Sequence, residues 1–133
     1  MQKHFRENPM SKSFKHDMPI YTQIIEMIQV SIIRGTYIPG EKIPSVRDLA
    51  IEYGVNPNTM QKALTKLEEQ GLLYTERTSG RFVTEDIKQI EKLQKEIPKK
   101  IIGAFLRDMD EAGIPAKKVI EHIESYISEN MVK

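Results

Sequence analysis

The feature that most constrains this chain is a pair of helical patterns separated by only three residues. Val46 to Tyr53 carries Val46, Leu49 and Ala50 on one face, and Gly54 supplies a stop. Asn56 is a strong N-cap and Pro57 a favoured first helical residue, so a second helix opens at once. Its buried stripe is Met60, Ala63, Leu64 and Leu67, and Gly71 ends it. Ser45 and Asp48 form a capping-box pattern at the start of the first helix, with Asp in place of the usual Glu or Gln. Two helices joined by so short a turn form a helix-turn-helix pattern. Leu72 to Arg77 then reads as a strand, Thr78-Ser79-Gly80 as a turn and Arg81 to Thr84 as the returning strand. A hairpin directly after a helix-turn-helix is a wing.

The flanking segments complete the organisation. A first helix is expected from about Pro19 to Arg34, with Ile20, Ile24, Met27, Ile28 and Ile32 at helical spacing, Pro19 in its first turn and Gly35 at its stop. Pro39-Gly40 marks a turn, and Lys42-Ile43 reads as a very short strand. Residues 1–17 carry Lys3, Arg6, Lys12 and Lys15 against Glu7 and Asp17, and read either as a disordered arm or as a basic arm touching phosphates. From about Glu85 the pattern is helical to the end. Ile87, Ile90, Leu93 and Ile97 form one stripe, and Pro98 is expected to kink the helix or start a new one. Ile101, Ile102, Phe105, Leu106 and Met109 form a broad apolar face, Gly113 and Pro115 mark a break, and Val119, Ile120, Ile123 and Ile127 stripe a last helix. So much apolar surface must pack on itself, on the first domain or on a second copy.

Composition narrows the function classes. At 133 residues the chain holds one domain, or a small domain with an appendage, and is too short for a large catalytic scaffold. With no Cys there is no disulfide framework, thiolate metal site or Cys nucleophile. No run of 18 apolar residues occurs and the polar N-terminus lacks a secretory core, so no membrane partner and a cytoplasmic location are expected. His4, His16 and His122 have no ligand-spaced partners, and there is no Gly-rich phosphate loop or nucleophile elbow. The expectation is a protein that is not an enzyme, with no catalytic residue, cofactor or metal.

From Pro19 to Asp86 the sequence resembles the GntR family of bacterial winged-helix transcription regulators. The resemblance rests on Pro19-Ile20-Tyr21, on the unbroken run Gly35 to Ala50, on Tyr53 to Met60, and on the wing Arg77 to Val83. It covers about half the chain. The remaining 49 residues are too few for the large effector or aminotransferase-like domains of most branches, and so resemble the small YtrA-type branch, whose helical tail serves dimerisation. Pro57 and Gln61 stand where other branches often have Arg, so base contacts do not carry over from those branches. The resemblance makes Arg47 a base or phosphate contact and implies regulation of neighbouring transporter genes.

The residues themselves point to duplex DNA. Asn58, Thr59, Gln61 and Lys62 lie opposite the buried stripe of the second helix, where Asn and Gln suit adenine and a Thr methyl suits thymine. The helix N-terminus, capped by Asn56, favours phosphate, and Ser45 and Arg47 begin the preceding helix. Arg77 and Arg81 flank the small wing tip, Ser79-Gly80, which suits a minor groove. Residues 18–84 hold seven basic and seven acidic side chains, yet no acid lies between Tyr53 and Leu67, where Lys62 and Lys66 stand.

The expected architecture is mainly α with a small β wing: a flexible arm at 1–17, a winged helix-turn-helix DNA-binding domain at 18–84, and a short helical dimerisation domain at 85–133. Its dimer surface would use Ile97, Ile101, Ile102, Phe105, Leu106, Met109, Ile120, Ile123 and Ile127. The expected function is a homodimeric repressor on an inverted-repeat operator, with a small-molecule effector sought between tail and winged domain. The alternative is a winged-helix protein-interaction module without specific DNA binding.

Overall fold

The computed structural model describes Phe14 and residues 17–131; the N-terminal arm expected at 1–17 lies almost wholly outside the described residues. Seven elements follow in order: α1 (Ile20–Arg34), α2 (Val46–Tyr53), α3 (Pro57–Glu69), β1 (Leu73–Glu76), β2 (Gly80–Val83), α4 (Ile87–Glu111) and α5 (Ala116–Asn130). The fold is mainly helical with one small antiparallel sheet, as the periodicities predict. The chain divides into two compact units between Leu93 and Gln94.

In the first unit, α1 packs on α3 and α3 packs on α2. Ile24, Met27 and Ile28 of α1, Leu49 of α2, and Met60, Leu64 and Leu67 of α3 are fully buried, with Val83 from the wing. The α1 stripe departs from expectation at its end. Ile20, the first residue of the helix, is 44% exposed. Pro19 is the N-cap rather than part of the first turn. Two polar residues, Gln23 and Ser31, are buried instead, each satisfied locally: Gln23 Nε2 donates to the Met18 carbonyl and Ser31 Oγ to the Met27 carbonyl. Val46 is half-buried rather than core, as the first residue of α2.

The turn between α2 and α3 is held by its caps. Asp48 N–H donates to Ser45 Oγ at 3.1 Å, which opens α2. Gly54 closes α2 at φ 68°, a backbone conformation that an L side chain resists. Asn58 N–H then donates to Asn56 Oδ1 at 2.7 Å, which caps α3, and Pro57 is its first residue.

The wing contains more than its hairpin. β1 and β2 pair from Leu73↔Val83 to Glu76↔Gly80. Residues 40–43 run along the other edge of β2 and bond to it through an isolated bridge: Gly40 N–H donates to the Val83 carbonyl, Val83 N–H to the Glu41 carbonyl and Ile43 N–H to the Arg81 carbonyl. Lys42 faces Phe82 across this edge, in keeping with the short strand read at Lys42-Ile43.

Helix α4 runs through Pro98 with no new start. The proline removes one helical N–H, and the carbonyl it frees belongs to exposed Gln94, where water can satisfy it. Ile90 and Leu93 are buried, whereas Ile87, in the first turn, is 51% exposed. In the second unit Val119 is the one buried side chain of α5.

Core truncation tests this arrangement. Leu64→Ala should destabilise the protein by about 2–5 kcal/mol, and Asn56→Ala by about 1 kcal/mol through loss of the cap, both read from urea unfolding midpoints.

Candidate nucleic-acid interface

The burial of Met60, Ala63, Leu64 and Leu67 dictates which residues of α3 face outward. Asn58, Gln61, Lys62 and Lys66 are exposed as expected, while Thr59 is half-buried at the edge of the stripe. Gln61 Nε2 donates to Thr65 Oγ1 at 3.2 Å, which preorients the amide along the helix. Lys62 lies over the ring of Tyr21 with its ammonium 4.0 Å from the centroid, tying the first turn of α1 to α3. Lys66 pairs with Glu69 at 3.4 Å on the open surface, a contact of small energetic weight. Asn56 uses its carbonyl oxygen in the cap, so its amide N–H groups are what it has left for a phosphate.

Ser45 and Arg47 are exposed at the start of α2. Arg47 forms no ion pair among the described residues, so neither Glu41 nor Glu52 holds it in a structural pair. Arg77 and Ser79 are exposed at the wing turn. Ser45, Ser79, Gly80 and Arg81 line one open groove of about 1090 Å³ between α2 and the wing. Arg47, Arg77 and the outward residues of α3 lie outside that groove. Its lining also contains Lys42 and three carboxylates, Glu41, Asp48 and Glu52. Asp48 is the capping-box residue of α2, and Lys42, which the sequence marks only as part of a very short strand, stands at the wing.

Arg81 differs from the wing cation expected of it. Its Nε donates to Glu68 Oε2 at 3.2 Å, and its side chain is 16% exposed. Thr75 Oγ1 donates to the same carboxylate oxygen. One acid at the end of α3 thus ties both wing strands to that helix. Burial pushes the Glu68 carboxyl up, and the hydrogen bonds from Thr75 and Arg81, with the Arg81 charge, outweigh it and hold the group below its ordinary value of 4.5. Strand alternation carried the signal: Arg81 and Val83 share a face, and Val83 must be core.

Two short helices at a tight turn, a second helix with a small polar outward face, and a two-stranded wing define a winged helix-turn-helix protein. The pattern of the family described as "Bacterial regulatory proteins, gntR family" matches residues 20–83. The uncharacterized HTH-type transcriptional regulator YhcF of Bacillus subtilis is 32% identical over 117 residues, 88% of this chain and 97% of that protein. The HTH-type transcriptional repressor YtrA of the same organism is 35% identical over 107 residues, 80% of this chain and 82% of its own. A solved GntR family transcriptional regulator from Listeria monocytogenes superposes with a TM-score of 0.76 at 40% identity, covering 84% of this chain and 98% of its own. The chain belongs to the GntR family of bacterial transcription regulators and is not an enzyme.

The Glu68 carboxylate makes a pH prediction. Because its folded pKa is lowered, its stabilisation is complete above pH 4.5 and fades as pH falls through the lower folded value. Urea unfolding between pH 7 and pH 3 should therefore show a shallower acid loss for Glu68→Gln than for the unmodified protein, on a lower plateau at neutral pH.

Proposed function

We propose that the protein is a homodimeric, sequence-specific repressor that reads an inverted repeat in duplex DNA. The observation that carries the reading is the outward face of α3, where Asn58, Gln61, Lys62 and Lys66 are exposed and no acid stands before Glu68. Such a face fits a major groove: the amides address base edges and the lysines address phosphates. Membership of a regulator family, with a relative named as a repressor, supports the same reading.

The dimer follows from the second unit. Ile101, Ile102, Phe105, Ile120, Ile123 and Ile127 are exposed, Ile97, Leu106 and Met109 are half-buried, and Tyr126 and Met131 enlarge the apolar surface beyond what the periodicity singled out. A helix pair with this much apolar area in water is a surface for a second copy. Two copies place two winged units on half-sites one helical turn, about 34–36 Å, or a multiple apart. Operator occupancy in the cytoplasm then blocks transcription, and transporter genes are the proposed targets. A small-molecule effector acts by changing the spacing of the two winged units.

The test is a fluorescence-anisotropy titration on duplex tiles from the region upstream of the gene, at several salt concentrations, with scrambled duplex as control. Tight binding of two subunits to one tile is expected. Equal, salt-labile binding to every tile would leave only a phosphate-binding or protein-binding winged helix. Asn58→Ala or Gln61→Ala should reduce discrimination by about 1–3 kcal/mol, whereas Lys62→Gln should weaken all duplexes alike. Phe105→Glu should yield a folded monomer in sedimentation velocity; a dimer of undiminished stability would place the interface elsewhere.

A further inference from the structure

We infer that Lys42, which lies outside the hairpin, is the cation the wing presents to a DNA phosphate, and that Arg81 instead holds the wing against α3. The inference rests on the DNA-binding reading above and assigns a contact that neither motif nor hairpin sequence marks.

Strand alternation separates the two cations. Thr75, Arg81, Leu73 and Val83 share the face that meets the core and Glu68. Tyr74, Glu76, Phe82 and Gly80 share the other face, and Lys42 joins it through its pairing with Phe82. Phe82 stacks on Tyr74 with ring centroids 5.6 Å apart, which stiffens that face across the hairpin. The Lys42 stem crosses Gly80: a Cβ on Gly80 would lie 2.8 Å from Lys42 Cε and 3.6 Å from Nζ. The ammonium therefore sits beside the wing tip, although its backbone belongs to the segment before α2. Gly80, at φ 121°, leaves room for this crossing.

The partners of the two side chains differ as well. Lys42 is exposed and forms no hydrogen bond or ion pair among the described residues. Arg81 is largely covered and already paired. Drawing Arg81 onto a phosphate would strip Glu68 of its cation while that carboxylate remains largely covered, which opposes the exchange. A lysine on a flexible stem suits a phosphate because its ammonium needs no fixed geometry. The groove interior holds the acids Glu41, Asp48 and Glu52, and Glu76 stands across from Gly80, so the Lys42 ammonium is the positive charge at that end of the wing.

The experiment compares the full-length protein with Lys42→Gln, Lys42→Arg and Arg81→Gln by anisotropy on an upstream tile and on scrambled duplex, over a salt series. Lys42→Gln should flatten the plot of log affinity against log salt by about 0.9 per subunit on both duplexes, with an unchanged thermal midpoint. Lys42→Arg should restore the slope. Arg81→Gln should lower the thermal midpoint and weaken binding with the slope intact. An unaltered slope in Lys42→Gln, or a flattened slope in Arg81→Gln, overturns the assignment while the DNA-binding reading stands. Failure of the unmodified protein to bind either duplex overturns both.

Discussion

The interface between α3 and α1 is the constraint from which the rest of the first unit follows. Met60, Ala63, Leu64 and Leu67 are wholly buried, and Ile24, Met27 and Ile28 form the opposing surface. Each large side chain among them contributes about 1.5–3 kcal/mol through removal from water. An α-helix has one rotational setting that buries such a stripe, so the same packing that stabilises the domain decides which residues of α3 point outward. Asn58, Gln61, Lys62 and Lys66 are the outward set because the core leaves them no alternative.

The wing is placed by a different kind of force. A hairpin of two four-residue strands is too small to hold its own position. Leu73 and Val83 anchor its base in the core, the 40–43 segment covers one edge, and Glu68 gathers Thr75 and Arg81 from the two strands. A carboxylate on α3 thus fixes the distance between that helix and the wing. It also pairs Arg81, whereas Lys42 and Arg77 are exposed cations near the tip, beside the exposed acid Glu76.

The second unit has the opposite balance. Helices long enough to be regular bury almost nothing: in α5 only Val119 is enclosed, while isoleucines along α4 and α5 remain in contact with solvent. Helix propensity and hydrophobic burial, which agree in the first unit, are here satisfied separately. Local sequence makes the helices, and their apolar faces remain exposed.

The sequence by itself determined every element whose signal is local. Ser45, Gly54, Asn56 and Pro57 set the helix-turn-helix because capping and left-handed turns depend on a few neighbouring residues. The α3 stripe fixed its outward face for the same reason of period. Ile20 and Ile87 carried the same period yet lie exposed at helix ends, because burial there depends on what packs alongside and not on spacing. Only the tertiary structure decided which wing cation is occupied and which is free. Glu68 and Arg81 are thirteen residues apart, and Lys42 and Gly80 are brought together by the edge pairing of Lys42 with Phe82. Charge pairing of that kind is set by through-space distance, to which residue type and local spacing are blind.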